Sequence, residues 1–115
     1  GLRLIPRPQR ETYVGSSFQF LLPDWGPVSV EGLVARCVAR GGELKWFGAE
    51  EPRAFTSRHD HWRYVPAQSL PRTDRVLAGL IDMRLPLTFS PDDAGLIARI
   101  IGAEVKALWQ QGVDR

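Results

Sequence analysis

The stretch SLPRTDRVLAGLIDMRLPLTFSPDDAGLIARII, residues 69–101, carries three changes of periodicity in succession, and they decide the architecture. Val76, Leu77, Leu80 and Ile81 recur at helical spacing, with Pro71 tolerable in a first turn. Met83, Leu85 and Leu87 then alternate, which predicts a strand that Pro86 marks as an edge or a strand end. Ser90 offers an N-cap oxygen, Pro91 suits the first helical position, and Asp92 and Asp93 complement the positive end of a helix dipole. Leu96, Ile97, Ile100, Ile101, Val105 and Leu108 form the stripe of that last helix, which runs to about Gln110.

Upstream, Phe18 and Phe20 alternate with Ser17 and Gln19 before Leu21, Leu22 and Pro23, a half-buried strand. Val30, Leu33, Val34, Cys37 and Val38 make an amphipathic stripe, so a helix is expected over 30–40 with Ser29 as its cap and Gly41 and Gly42 as its stop. Leu44 to Phe47 reads as a short strand closed by Gly48. The order is therefore β-α-β-loop-α-β-α. It predicts an α/β fold of α+β character: a two-layer sandwich with a small sheet of about three strands and helices on one face. Residues 1–15, rich in Pro and Arg, read as an extended connector, and 16–112 as the domain proper.

The chain has 115 residues, enough for one core, and its 43% hydrophobic and 24% charged content is that of a globular domain. A net charge of +2 and a pI near 9.1 are only mildly basic. Cys37 has no second cysteine to pair with and falls on the apolar stripe, so it reads as a buried thiol. No apolar run is long enough to span a membrane and no signal peptide is visible, so a cytoplasmic location is expected. The chain starts without Met, which reads as a piece of a longer polypeptide. Trp25, Trp46, Trp62 and Trp109 are more than so small a core encloses comfortably, and they point to an aromatic face that meets a neighbour.

The segment 49–69 has no periodicity and is long for a loop, which favours a functional role. Arg53, Arg58 and Arg63 lie there with Phe55, Trp62 and Tyr64, a mixture able to clamp carboxylate or phosphate beside a ring. The bland reading is arginines in water or paired with Glu50, Glu51 and Asp60. His59, Asp60 and His61 lack a third ligand for a metal, and neither Ser57 nor Ser69 sits on a nucleophile elbow. Gly15 to Ser17 precedes a strand, not a helix, so it is no phosphate loop.

Three stretches together resemble the C-terminal small domain of PLP-dependent, fold type I aminotransferases of the DegT/StrS class, which aminate keto sugars. SSFQFLL is similar to that family's first small-domain strand, and VSVEGLVARCVARGGELKWFG to its helix and following strand, with a proline, here Pro52, soon after. The stretch 69–101 is similar to the closing pattern: a Leu-Pro-led helix, a strand ending in Leu-Pro-Leu, and an acid-rich start to an apolar helix.

The resemblance implies a cofactor, pyridoxal 5'-phosphate, held as a Schiff base by a lysine of a preceding large domain. Neither Lys45 nor Lys106 suits that role, so this stretch of chain holds no catalytic residue and is expected to be inactive alone. The implied partners are that large domain, a second subunit in a homodimer, and a sugar-nucleotide or other anionic carbonyl substrate. The small domain would form one wall of the cleft, and the loop after the second strand would approach it. Arg58, His59, Trp62 and Arg63 are the expected substrate-binding residues. Where many relatives carry a histidine two places after the proline, this chain has Ala54. The rival readings are a module binding single-stranded nucleic acid, with bases stacked on Phe18, Phe20 or Trp46, and a small ligand-binding domain.

Overall fold

The computed structural model describes residues 1–54 and 56–115, so Phe55 lies outside the described residues. Four strands, β1 (Arg3–Leu4), β2 (Ser17–Leu21), β3 (Leu44–Trp46) and β4 (Leu80–Arg84), form one sheet in the order β1-β2-β4-β3. Every neighbouring pair is antiparallel. Three α-helices accompany them: α1 (Pro27–Ala39), α2 (Pro71–Gly79) and α3 (Pro91–Gln111). Because β2 and β3 both run against β4, they are parallel to each other, and α1 carries the chain between them while β4 fills the gap. No helix is long and apolar enough to cross a membrane among the described residues.

Register sorts the sheet into two unlike faces. Phe18 lies opposite Met83, Phe20 and Trp46 opposite Ile81, and Leu44 opposite Met83, so one face is apolar throughout. Against it pack Val30, Leu33 and Cys37 of α1 and Ile97, Ile100, Ile101 and Val105 of α3, which together form a single buried cluster. Each fully buried aliphatic side chain of this kind contributes about 2 kcal/mol of transfer free energy. The other face carries the row Gln19, Asp82, Lys45, and the Gln19 amide donates to the Asp82 carboxylate at 3.1 Å. The expected aromatic outer face is not on the strands, whose rings point inward because the alternation places them with the helices; of the four tryptophans Trp25 is buried, Trp46 is half-buried, and Trp62 and Trp109 are exposed. Phe20 is fully buried, and Phe18 and Trp46 are half-buried against the core.

Cys37 is buried as expected, and desolvation pushes its thiol up to about 11, with Glu104 adding to the rise. Ser90 caps α3 by accepting from the Asp93 N–H at 3.2 Å, and the Asp93 carboxylate accepts from the Ser90 N–H at 2.8 Å.

Three boundaries differ from the sequence reading. The connector contains β1, two residues paired with Phe20 and Leu21, which ends before Pro6 removes a ladder donor. Helix α1 begins at Pro27 with Gly26 at the N-cap, so Ser29 lies inside the first turn. The cap is supplied from the far end of the chain: the Asp114 carboxylate accepts from the Ser29 N–H at 2.8 Å, and the Asp114 N–H donates to the Ser29 hydroxyl at 3.0 Å.

The third difference is at Gly79, where α2 passes into β4 with no loop, so that Leu80 and Ile81 belong to the strand and not to the helical stripe. Gly79 accepts from the Leu22 N–H at 2.9 Å, and a methyl on its Cα would stand 2.6 Å from the Leu22 carbonyl oxygen. This ladder bond extends the β2–β4 pairing into the helix end. Beyond Arg84 the chain leaves the sheet, and Leu87 is fully exposed. Pro86 therefore marks a strand end, and β4 is central, not an edge.

Candidate functional site

Between β3 and α2 the described residues make two local structures of their own. Arg53 and Thr56 exchange backbone hydrogen bonds at 2.9 and 3.0 Å, and Ala54 takes a left-handed φ of 53°. Thr56 is buried and lines a small pocket on the polar sheet face with Gln19, Lys45 and Asp82. His59–His61 then form one turn of 3-10 helix. Its start is closed by the Arg58 N–H, which donates to His61 Nδ1 at 3.2 Å.

The four expected site residues fall into two groups. Arg58 and His59 point toward α2. The Arg58 guanidinium grips Asp60 with two hydrogen bonds, Nε to Oδ1 at 3.0 Å and Nη2 to Oδ2. That bond raises the guanidinium pKa and holds the Asp60 carboxyl below its usual range. His59 Nε2 lies 2.7 Å from Asp74 Oδ1 in the first turn of α2. Among the described residues this is the side-chain bond that fastens the loop to the helix.

Trp62 and Arg63 lie on the solvent side. The Trp62 indole N–H donates to the Ser57 hydroxyl at 3.0 Å, and its ring stacks on Tyr64 with centroids 6.0 Å apart and planes within 8° of parallel. Tyr64 is 81% exposed, so its outer ring face is open to solvent. Arg63 is exposed and forms no ion pair with the described residues. Two hollows flank the His59–Asp74 contact, one of about 270 Å³ beside His59, Trp62 and Leu70, the other of about 380 Å³ beside Arg58, Asp74 and Leu77.

The arrangement leaves Arg63, between the two stacked residues in sequence, without an ion pair among the described residues, while Arg58 is already paired with Asp60. It offers no nucleophile with a base at hydrogen-bond reach and no group of three or more metal-ligating side chains among the described residues. Asp74 is the residue that sequence reasoning missed. An acid in the first turn of a helix signals dipole pairing, and nothing local says that a histidine fifteen residues earlier will reach it.

The two lysines do not fit the pyridoxal cofactor. Lys45 sits half-buried on the polar sheet face in register with Asp82, and Lys106 is exposed on α3, so neither stands in an enclosed pocket that would tune its amine. No family model, curated protein or solved structure matches the chain.

Proposed function

We propose that this domain forms one wall of the substrate cleft in a larger pyridoxal-phosphate-dependent aminotransferase of keto sugars or sugar nucleotides, with residues 57–64 facing the substrate. The resemblance of residues 69–101 to the closing pattern of such domains supports the class, and the antiparallel sheet with α1 and α3 on one face agrees with a small domain of that kind.

One observation carries the role of the loop: it is braced by side-chain bonds at Ser57–Trp62, Arg58–Asp60 and His59–Asp74, yet leaves Arg63 and Tyr64 turned outward. Side chains that are merely solvated need no such bracing. In this reading Arg63 binds an anionic group of the substrate, the Trp62–Tyr64 pair packs beside it, and Arg58 and His59 hold the loop's shape. The Schiff-base lysine belongs to the large domain, and no step of the chemistry runs through this chain's own residues.

The test uses the enzyme that contains this domain with its cofactor-binding domain. Arg63→Ala should raise KM for a phosphate-bearing substrate about tenfold with kcat nearly unchanged, the pattern of a lost uniform binding contact. Arg58→Ala should raise KM less, because its charge is already satisfied by Asp60. Unchanged kinetics in both variants, or a natural polypeptide without bound pyridoxal phosphate in its visible spectrum, overturns the proposal.

A further inference from the structure

Among the described residues the sheet ends at β3, and no strand pairs with the outer edge of that strand. The β3–β4 ladder continues through the Phe47 N–H, which donates to the Leu80 carbonyl at 3.0 Å, so Lys45 is the β3 residue that bonds Asp82 of β4. In an antiparallel pair the bonding residues alternate. Leu44 and Trp46 therefore turn their backbone N–H and C=O groups away from β4, and among the described residues no strand takes them up.

Beside this edge runs a groove of about 440 Å³ between β3 and α1. Its apolar lining comes from Val34 and Val38 on α1 and from Leu44 and Trp46 on β3. The stripe of α1 is wider than the core covers: Leu33 and Cys37 are fully buried, Val34 is half-buried and Val38 is 51% exposed. Lys45 and Arg53 stand along the strand side of the groove, and Glu31 on the helix side.

We infer that this edge and groove take an extended acidic peptide segment of a partner protein as a fifth strand. Backbone bonds to Leu44 and Trp46 would give affinity, and alternate apolar side chains would enter the groove over Val34 and Val38. Carboxylates on the added strand would meet Lys45 and Arg53. Charge selects this occupant over a second copy of the chain: antiparallel pairing of two β3 edges about their midpoint sets Lys45 against Lys45, a destabilising like-charge pair. The inference does not depend on the aminotransferase reading.

The probe is a fluorescein-labelled peptide, Thr-Val-Glu-Val-Glu-Val-Thr, titrated against the chain by anisotropy. Saturable binding below about 1 mM is expected. Replacing the central valine of the peptide by proline should weaken it at least about tenfold, since proline lacks the bonding N–H and disrupts pairing. Val38→Asp, at a position exposed enough to leave the fold intact, should do the same. Lys45→Glu should prefer a peptide with lysine in place of both glutamates, a reversal that general unfolding does not produce. Three results overturn the inference: absence of saturation, indifference to the proline peptide, or self-association of the free chain that Val38→Asp abolishes.

Discussion

The sheet with α1 and α3, and the segment that joins β3 to α2, obey different physics within one small chain. The first is held by apolar side chains from distant parts of the sequence meeting in one cluster, where Phe20, Leu33, Ile81 and Cys37 lose all contact with water. Among its described residues the second buries only Thr56 fully, and it is held by polar bonds between groups two to fifteen residues apart. Exposed ion pairs of that sort contribute about 0–1 kcal/mol each, against about 2 kcal/mol for one buried aliphatic side chain. The loop is thus shaped by its own bonds but carried by the core, so damage to the two should differ in kind.

The largest expected effect lies where the core admits no added atom. Gly79 closes α2 against the Leu22 backbone, and its neighbour at 2.6 Å is a main-chain oxygen that cannot swing aside. Gly79→Ala should therefore push β2 and β4 apart at their end and cost about 3 kcal/mol, the upper range for overpacking. Denaturant unfolding would show it as a lower midpoint. A loss under about 0.5 kcal/mol would mean that the two strands yield there, and the contrast between rigid core and tolerant loop would fail.

An intermediate effect is expected where a polar contact does the work of a core element. Asp114 caps α1 from the chain's far end, and the hydrogen bond from Ser29 holds its carboxyl below the ordinary value of 3.8. A depressed folded pKa means that the ionised form favours the folded state. The contribution is therefore fully present above pH 3.8 and is lost as pH falls through the folded pKa. Asp114→Ala should lower the thermal midpoint at neutral pH, and the gap from the parent should close in acid. A gap that persists undiminished at about pH 2 would show that the side chain acts by packing and not by charge.

How much of this was legible depended on how local the deciding contacts are. Helix α3 could be read directly, because Ser90, Pro91 and Asp93 build its cap within four residues. The end of α2 could not: Leu80 and Ile81 satisfy both a helical stripe and a strand alternation, and only the approach of Leu22 to Gly79 decides between them. Strand β1 is too short to carry a period, and the cap of α1 lies eighty-five residues from Ser29 in sequence. The candidate site divides in the same way. Arg58 and Asp60 are two apart, and their pairing was one of the readings the loop's composition allowed. The His59–Asp74 bond needs the course of the loop, which no pattern within it encodes.

That bond gives the smallest expected effect on stability and the sharpest on the loop alone. Asp74 is about half exposed, so Asp74→Ala should change the free energy of unfolding by no more than about 0.5 kcal/mol. It should nonetheless release residues 57–64 from α2, because the other braces at Ser57–Trp62 and Arg58–Asp60 lie within the loop and do not reach the helix. Trypsin reports the difference, since Arg58 and Arg63 lie inside the segment and cleavage requires the backbone to open locally. Cutting there should quicken by about threefold or more in the variant, while cleavage within α1 and α3 keeps pace with global unfolding. Equal loop cleavage in parent and variant would show that the histidine contact does not hold the loop. A fall in global stability matching Gly79→Ala would show instead that the segment is part of the core's own cooperative unit.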